Sequence, residues 1–130
     1  MSPEVRAAYD AMTEPARGRA LALRDLVLRV AAAEGIVLDE TLKWGEPAYL
    51  PGRGGTTLRI GIDKAGGDLR LLVNCRTSLV AQWREMFGSN LHCEGNRAVR
   101  VDRDTDEGAL AICIAMALTY HQARGKAAHG

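Results

Sequence analysis

Disulfide frameworks, zinc knuckles, nucleic-acid grips and membrane spans are each excluded by something this chain has too little of. Its only cysteines, Cys75, Cys93 and Cys113, are odd in number and include no C-x-x-C pair, so neither a disulfide scaffold nor a zinc knuckle is indicated. A reducing, cytoplasmic setting fits that usage best. Charge of one sign is missing too. Seventeen basic against sixteen acidic side chains leave a net +1, with no clustered basic face for nucleic acid. The longest uncharged run, Gly108 to Gln122, is too short to span a bilayer and reads as a buried helix. Met1-Ser2-Pro3-Glu4 lacks the basic and apolar regions of a secretory leader. Aromatics are scarce, with two Trp, three Tyr and one Phe, so the position of each one carries information.

What is present suits one globular domain over residues 1–130. The chain is 47% apolar and 25% charged, and its length is enough to bury roughly two-thirds of the extended surface. Ser2-Pro3-Glu4 predicts a helix start, with Val5, Tyr9 and Met12 along one side. Thr13-Glu14-Pro15 repeats that signal and predicts a long helix from about residue 14 to about residue 33, ended by Gly35. A short strand, 41–44, then leads through a Pro47 corner into Ala48-Tyr49-Leu50. Pro51-Gly52-Arg53-Gly54-Gly55 reads as a mobile loop rather than an anion cradle, because no Gly-Lys-Ser/Thr ending follows.

Leu58, Ile60 and Ile62 alternate with polar or small residues, as do Leu69 and Val73 with Leu71 between them. Joined by Lys64-Ala65-Gly66-Gly67, the two runs predict a hairpin with Ile60 opposite Leu71 and Leu58 opposite Val73. Ser78 to Gly88 predicts a third helix with Trp83 in its stripe. A second hairpin follows, read with a three-residue loop, Glu94 to Asn96, and Leu91 opposite Val99. Asp104 with Glu107 opens a last helix at about residue 105, apolar on every side from Ala109 to Leu118 and ended by Gly125, with residues 126–130 as a frayed tail. The fold class is α+β: an antiparallel sheet of five or six strands with helices packed on one face.

The stretch Glu40-x-x-Lys43-Trp44-Gly45-x-Pro47-x-Tyr49 follows a helix containing Leu23-Arg24-Asp25-Leu26. Together with the 58–73 hairpin, the Trp83 helix and the 97–101 strand, it resembles the YdhG-like family of bacterial domains over about residues 5 to 122. That resemblance implies a frataxin-like sandwich. Some members are described as iron chaperones, so it implies iron as a possible cargo.

Among the residues themselves, the corner leaves two readings open. Trp44 and Tyr49 wall a pocket with Lys43 and Glu46 as polar handles and Glu40 as a further candidate; or they pack a strand corner whose charges are solvated or in a rim salt bridge. Beside the corner lies a sheet face carrying Arg59 and Arg70, cations suited to an anionic or carboxylate ligand. The expected site is therefore Lys43, Trp44, Glu46, Tyr49, Arg59 and Arg70, and the expected function a non-enzymatic binding module for a small anionic ligand. The alternatives are an iron carrier and a homodimeric scaffold that exposes the apolar last helix or Leu72. Asp102, Asp104, Asp106 and Glu107 read as acids gathered at a helix N-terminus rather than a calcium loop. Cys75 and Cys113 read as small buried hydrophobes, His121 as a surface or structural residue, and His92 and Cys93 as facing opposite ways. No nucleophile sits beside a base in any hydrolase motif.

Overall fold

The computed structural model describes residues 1–65 and 67–122. The expected stop at Gly125 and the tail lie outside them. Four α-helices and six strands follow in the order α1 (Pro3–Asp10), α2 (Ala16–Ala33), β1 (Asp39–Lys43), β2 (Glu46–Leu50), β3 (Leu58–Ile62), β4 (Leu69–Leu72), α3 (Leu79–Phe87), β5 (His92–Glu94), β6 (Ala98–Val101) and α4 (Glu107–Leu118). The strands form one antiparallel sheet in the spatial order β1-β2-β3-β4-β6-β5. The architecture is α+β, as the patterning predicted.

Local chemistry explains most boundaries. Ser2 Oγ accepts from the Val5 N–H at 3.3 Å and starts α1, which buries Val5 and Tyr9. α2 begins after Pro15, where Glu14 Oε1 accepts from the Gly18 N–H at 3.0 Å, and it buries Ala20, Leu23, Leu26, Val27 and Ala31. α4 opens two residues later than predicted, because Asp106 rather than Asp104 caps it, accepting from the Ala109 N–H. Its all-round apolarity has the expected cause: α4 lies between α2, α3 and β3. Ile112 alone among its large apolar side chains is exposed.

The β3–β4 hairpin has the predicted register, Ile60 opposite Leu71, closed by Asp63 N–H donating to the Asp68 carbonyl at 2.8 Å. The second hairpin corrects the expectation. Its loop does have three residues, but they are Gly95, Asn96 and Arg97, so Cys93 rather than Leu91 faces Val99. Gly95, at φ +55°, takes the left-handed position the loop needs. A two-residue shift preserves parity, so Leu91 still faces the core. The glycine-rich 51–55 segment, expected to be a mobile loop, contains a 3₁₀ turn over Gly52–Gly54 and leads to Thr56, whose N–H donates to the Ala117 carbonyl at the end of α4.

Helices cover one face of the sheet. Tyr49, Leu58, Ile60, Leu69, Leu71, Val99 and Val101 point into that layer and form the core with Trp83, Ile114 and Leu118. The opposite face carries Thr41, Lys43, Glu46, Arg59, Arg70, Glu94 and Arg100, and no helix of the described chain packs on it.

Candidate functional site

The expected Pro47 corner is a two-residue hairpin turn. Lys43 pairs with Glu46, Pro47 sits inside β2 opposite Leu42, and the turn residues are Trp44 and Gly45 at φ +56° and +75°. Two consecutive left-handed residues give the primed turn whose twist matches flanking strands. Gly45 adopts it freely. Trp44 does so against its own Cβ, and its indole is 89% exposed.

Tyr49 lies on the other side of the sheet, and the expected Trp44/Tyr49 pocket wall is corrected. Tyr49 is 0% exposed and its hydroxyl is 2.6 Å from that of Tyr9. Across β1, Glu40 is held by Arg24 through Nε at 2.6 Å and Nη2 at 3.2 Å. Glu40 is thus a buttress rather than a ligand handle. Because a carboxylate only accepts, the donor chain runs Tyr9 to Tyr49 to Glu40. Burial pushes the Tyr9 hydroxyl up to about 12 and pushes Tyr49 up as well. Burial also acts to raise Glu40, but the hydrogen bonds from Arg24 and Tyr49 outweigh it and hold the carboxyl below its ordinary range.

On the helix-free face, two arginines expected to await a ligand already have partners. Arg70 makes a fork with Glu94, two bonds of 2.8 Å each, and lies 3.3 Å from Asp63. Its guanidinium holds the Glu94 carboxyl below the usual range. Arg70 is thus held by two carboxylates and does not line the cavity on this face. Arg59 pairs with Glu46, whose carboxylate occupies the space a Cβ at residue 61 would take; Gly61 makes that pair possible. Arg59 keeps one side on open space, while Glu46 serves as its counter-ion. Beneath these stems Ala48, Leu72 and Ala98 are covered, so Leu72, 9% exposed, offers no apolar interface.

A cavity of about 320 Å³ opens onto this face, lined by Lys43, Trp44, Thr56, Thr57 and Arg59 and, from the far side, by Val73, Asn74, Cys75 and Arg97. Lys43 and Arg97 are exposed and make no ion pair among the described residues. The structure thus brings Lys43, Trp44 and Arg59 together and adds Arg97, Asn74, Cys75 and Thr56, which the sequence reading did not select. Cys75, expected inside, is exposed: β4 ends at Leu72, and Asn74 bends the chain outward by accepting from the Arg76 N–H at 2.9 Å. Only Asn74, a turn former at a strand end, signalled this. Cys113 is buried as expected, and His92 faces Arg100 at 3.2 Å, away from Cys93.

A second cavity, about 500 Å³, lies between the α1–α2 elbow and the β2–β3 end, with Met12, Pro47 and Ile60 among its lining and Glu46 and Lys64 as its charges. The acidic stretch is occupied with local structure. Asp102 accepts from the Asp104 N–H at 2.9 Å, which is the main cause holding its carboxyl low, and Asp106 caps α4. Among the described residues, no three His, Cys, Asp or Glu side chains gather closely enough to hold a metal ion. Nor is any helix of the described residues long and apolar enough to cross a membrane.

Fold and site together define a class: an α+β domain with one bare sheet face and a cation-lined surface cavity. No protein-family model, curated protein or solved structure matches the chain.

Proposed function

We propose that the protein is a non-enzymatic binding module for a small anionic ligand, held in the 320 Å³ cavity on the bare face of the sheet. One observation carries this reading. Lys43, Arg59 and Arg97 converge on a single cavity, and only Arg59 has a carboxylate partner among the described residues. Unneutralised cations beside partly enclosed space favour a carboxylate or phosphate, with charge-assisted bonds about twice as strong as neutral ones. Trp44 supports the reading independently: a large aromatic kept exposed on a left-handed backbone is strained, and such strain gathers at ligand clamps.

The resemblance to the YdhG-like family stays part of the proposal, and the iron cargo it implies is the competing reading. Among the described residues no group of three or more His, Cys, Asp or Glu favours iron. For the homodimeric scaffold, Leu72 is covered, and Ile112 is the large apolar side chain that the last helix leaves exposed.

Thermal unfolding with millimolar citrate, phosphate or benzoate, and separately with ferrous iron under anaerobic conditions, discriminates these. A ligand at a hundredfold excess over its Kd adds about 2.7 kcal/mol. Stabilisation by the anions that disappears in Lys43→Ala/Arg97→Ala is the expected result. Stabilisation by iron alone, or none at all, overturns the proposal.

A further inference from the structure

We propose that Cys75 is a modification site built into this cavity: its thiol exchanges with a low-molecular-mass disulfide bearing carboxylates, such as oxidised glutathione. The product is a mixed disulfide whose acidic half occupies the cavity. The inference rests on the anion-binding reading and names the ligand class for it.

Accessibility singles out this thiol. Cys75 is exposed, whereas Cys113 is wholly buried and Cys93 half-buried. Burial raises the thiols of both, Cys113 to about 12. The position of Cys75 is fixed although it is outside any strand. Its carbonyl accepts from Asn96 Nδ2 at 3.1 Å, and just before it the Val73 N–H donates to the Arg97 carbonyl at 2.8 Å. These two bonds tie the cysteine segment to the loop that carries Arg97, so thiol and cation keep a common frame.

Thr56 supplies a second, independent mark of a ligand. It is 7% exposed, it lines the same cavity, and its hydroxyl has no partner among the described residues. Such a hydroxyl in that wall is free to donate to a bound acceptor. Trp44 closes the rim opposite, offering a face for the apolar body of the ligand.

The chemistry balances without any further reagent. The Cys75 thiol gives its proton to solvent, and the thiolate attacks one sulfur of the disulfide along the S–S axis. The new Cys75 S–S bond forms as the old one breaks, and the other half leaves as a thiolate that takes up a proton. Formally the Cys75 sulfur is oxidised and the leaving sulfur reduced by one electron each, and the attacked sulfur keeps its oxidation state. Lys43, Arg59 and Arg97 act by raising the local concentration of the anionic disulfide, and the cavity retains the half that stays.

The test compares two probes on the intact protein: the dithiobis-nitrobenzoate dianion and uncharged dithiodipyridine. Each rate is divided by that of the same probe with N-acetylcysteinamide, and mass spectrometry locates the adduct. The expected result is a preference for the dianion on the order of tenfold, collapsing in high salt. In Lys43→Ala/Arg97→Ala, both exposed positions whose folding a thermal melt checks, the dianion slows to parity while dithiodipyridine is unchanged. Parity in the wild type, a preference that survives the double substitution, or modification at Cys93 first overturns the inference. Thermal shift of Cys75→Ser with citrate or benzoate separates the two proposals. Stabilisation there, with no rate preference in the wild type, removes the exchange and leaves anion binding standing; loss of both removes both.

Discussion

Tyr49 shows how a single side chain can belong to a motif and still have nothing to do with a ligand. Its hydroxyl, Tyr9 and the Arg24–Glu40 pair form one chain of hydrogen bonds across the α1–β1–β2 junction. Tyr49→Phe leaves the Tyr9 hydroxyl buried without its partner and should cost about 1–3 kcal/mol in urea unfolding, with anion affinity unchanged. The same group sets an alkaline limit. Tyr9 titrates higher in the folded protein (about 12) than in the unfolded chain (ordinary value 10.0), so the folded state binds its proton more tightly. Its contribution is complete below about pH 10 and is lost as pH rises through 12. Urea midpoints should therefore fall between pH 10 and 12, and Tyr9→Phe should flatten that fall. A slope unchanged by the substitution assigns the loss to other groups. None of this was legible beforehand. The sequence shows three tyrosines with polar tips, but not that Tyr9 on a helix and Tyr49 on a strand point at each other, 40 residues apart.

At the scale of elements, the β1–β2 hairpin carries the account. Trp44 occupies the position of a primed turn where Asn, followed by Gly, is the favoured pair. Trp44→Asn should thus hold or raise stability, by up to about 1 kcal/mol, while anion binding is lost; a stability loss without a binding loss contradicts the assignment of the indole to the rim. Gly61→Ala drives Glu46 off its seat and breaks the Arg59 pair, so stability should fall by about 1 kcal/mol, and Glu46→Ala in the same chain should recover part of it. The β3–β4 hairpin was readable because strict alternation and a four-residue turn agree on one register. The β1–β2 turn was not: Pro47 suggested a corner, and nothing in Trp44-Gly45 announces a left-handed tryptophan. In β5–β6, parity was readable and register was not, since a two-residue slip keeps every side chain on its face.

At the scale of the molecule, the near balance of charge conceals its distribution. Arg59 and Arg70 are neutralised by Glu46, Glu94 and Asp63 in a lattice that roofs the bare sheet face, leaving Lys43 and Arg97 unpaired among the described residues at one cavity. Composition alone could not reveal which cations are spent, because pairing across strands depends on register. The six expected residues are sorted for that reason: Lys43, Trp44 and Arg59 line the cavity, Glu46 holds Arg59, and Tyr49 and Arg70 are engaged elsewhere. The most direct test is a proton–nitrogen NMR titration of the labelled protein with benzoate and citrate. The account predicts saturable shifts centred on the Trp44 indole, Thr56, Asn74 and Arg97. Shifts confined to the larger cleft around Met12 and Lys64, or no saturable shift at all, contradict it.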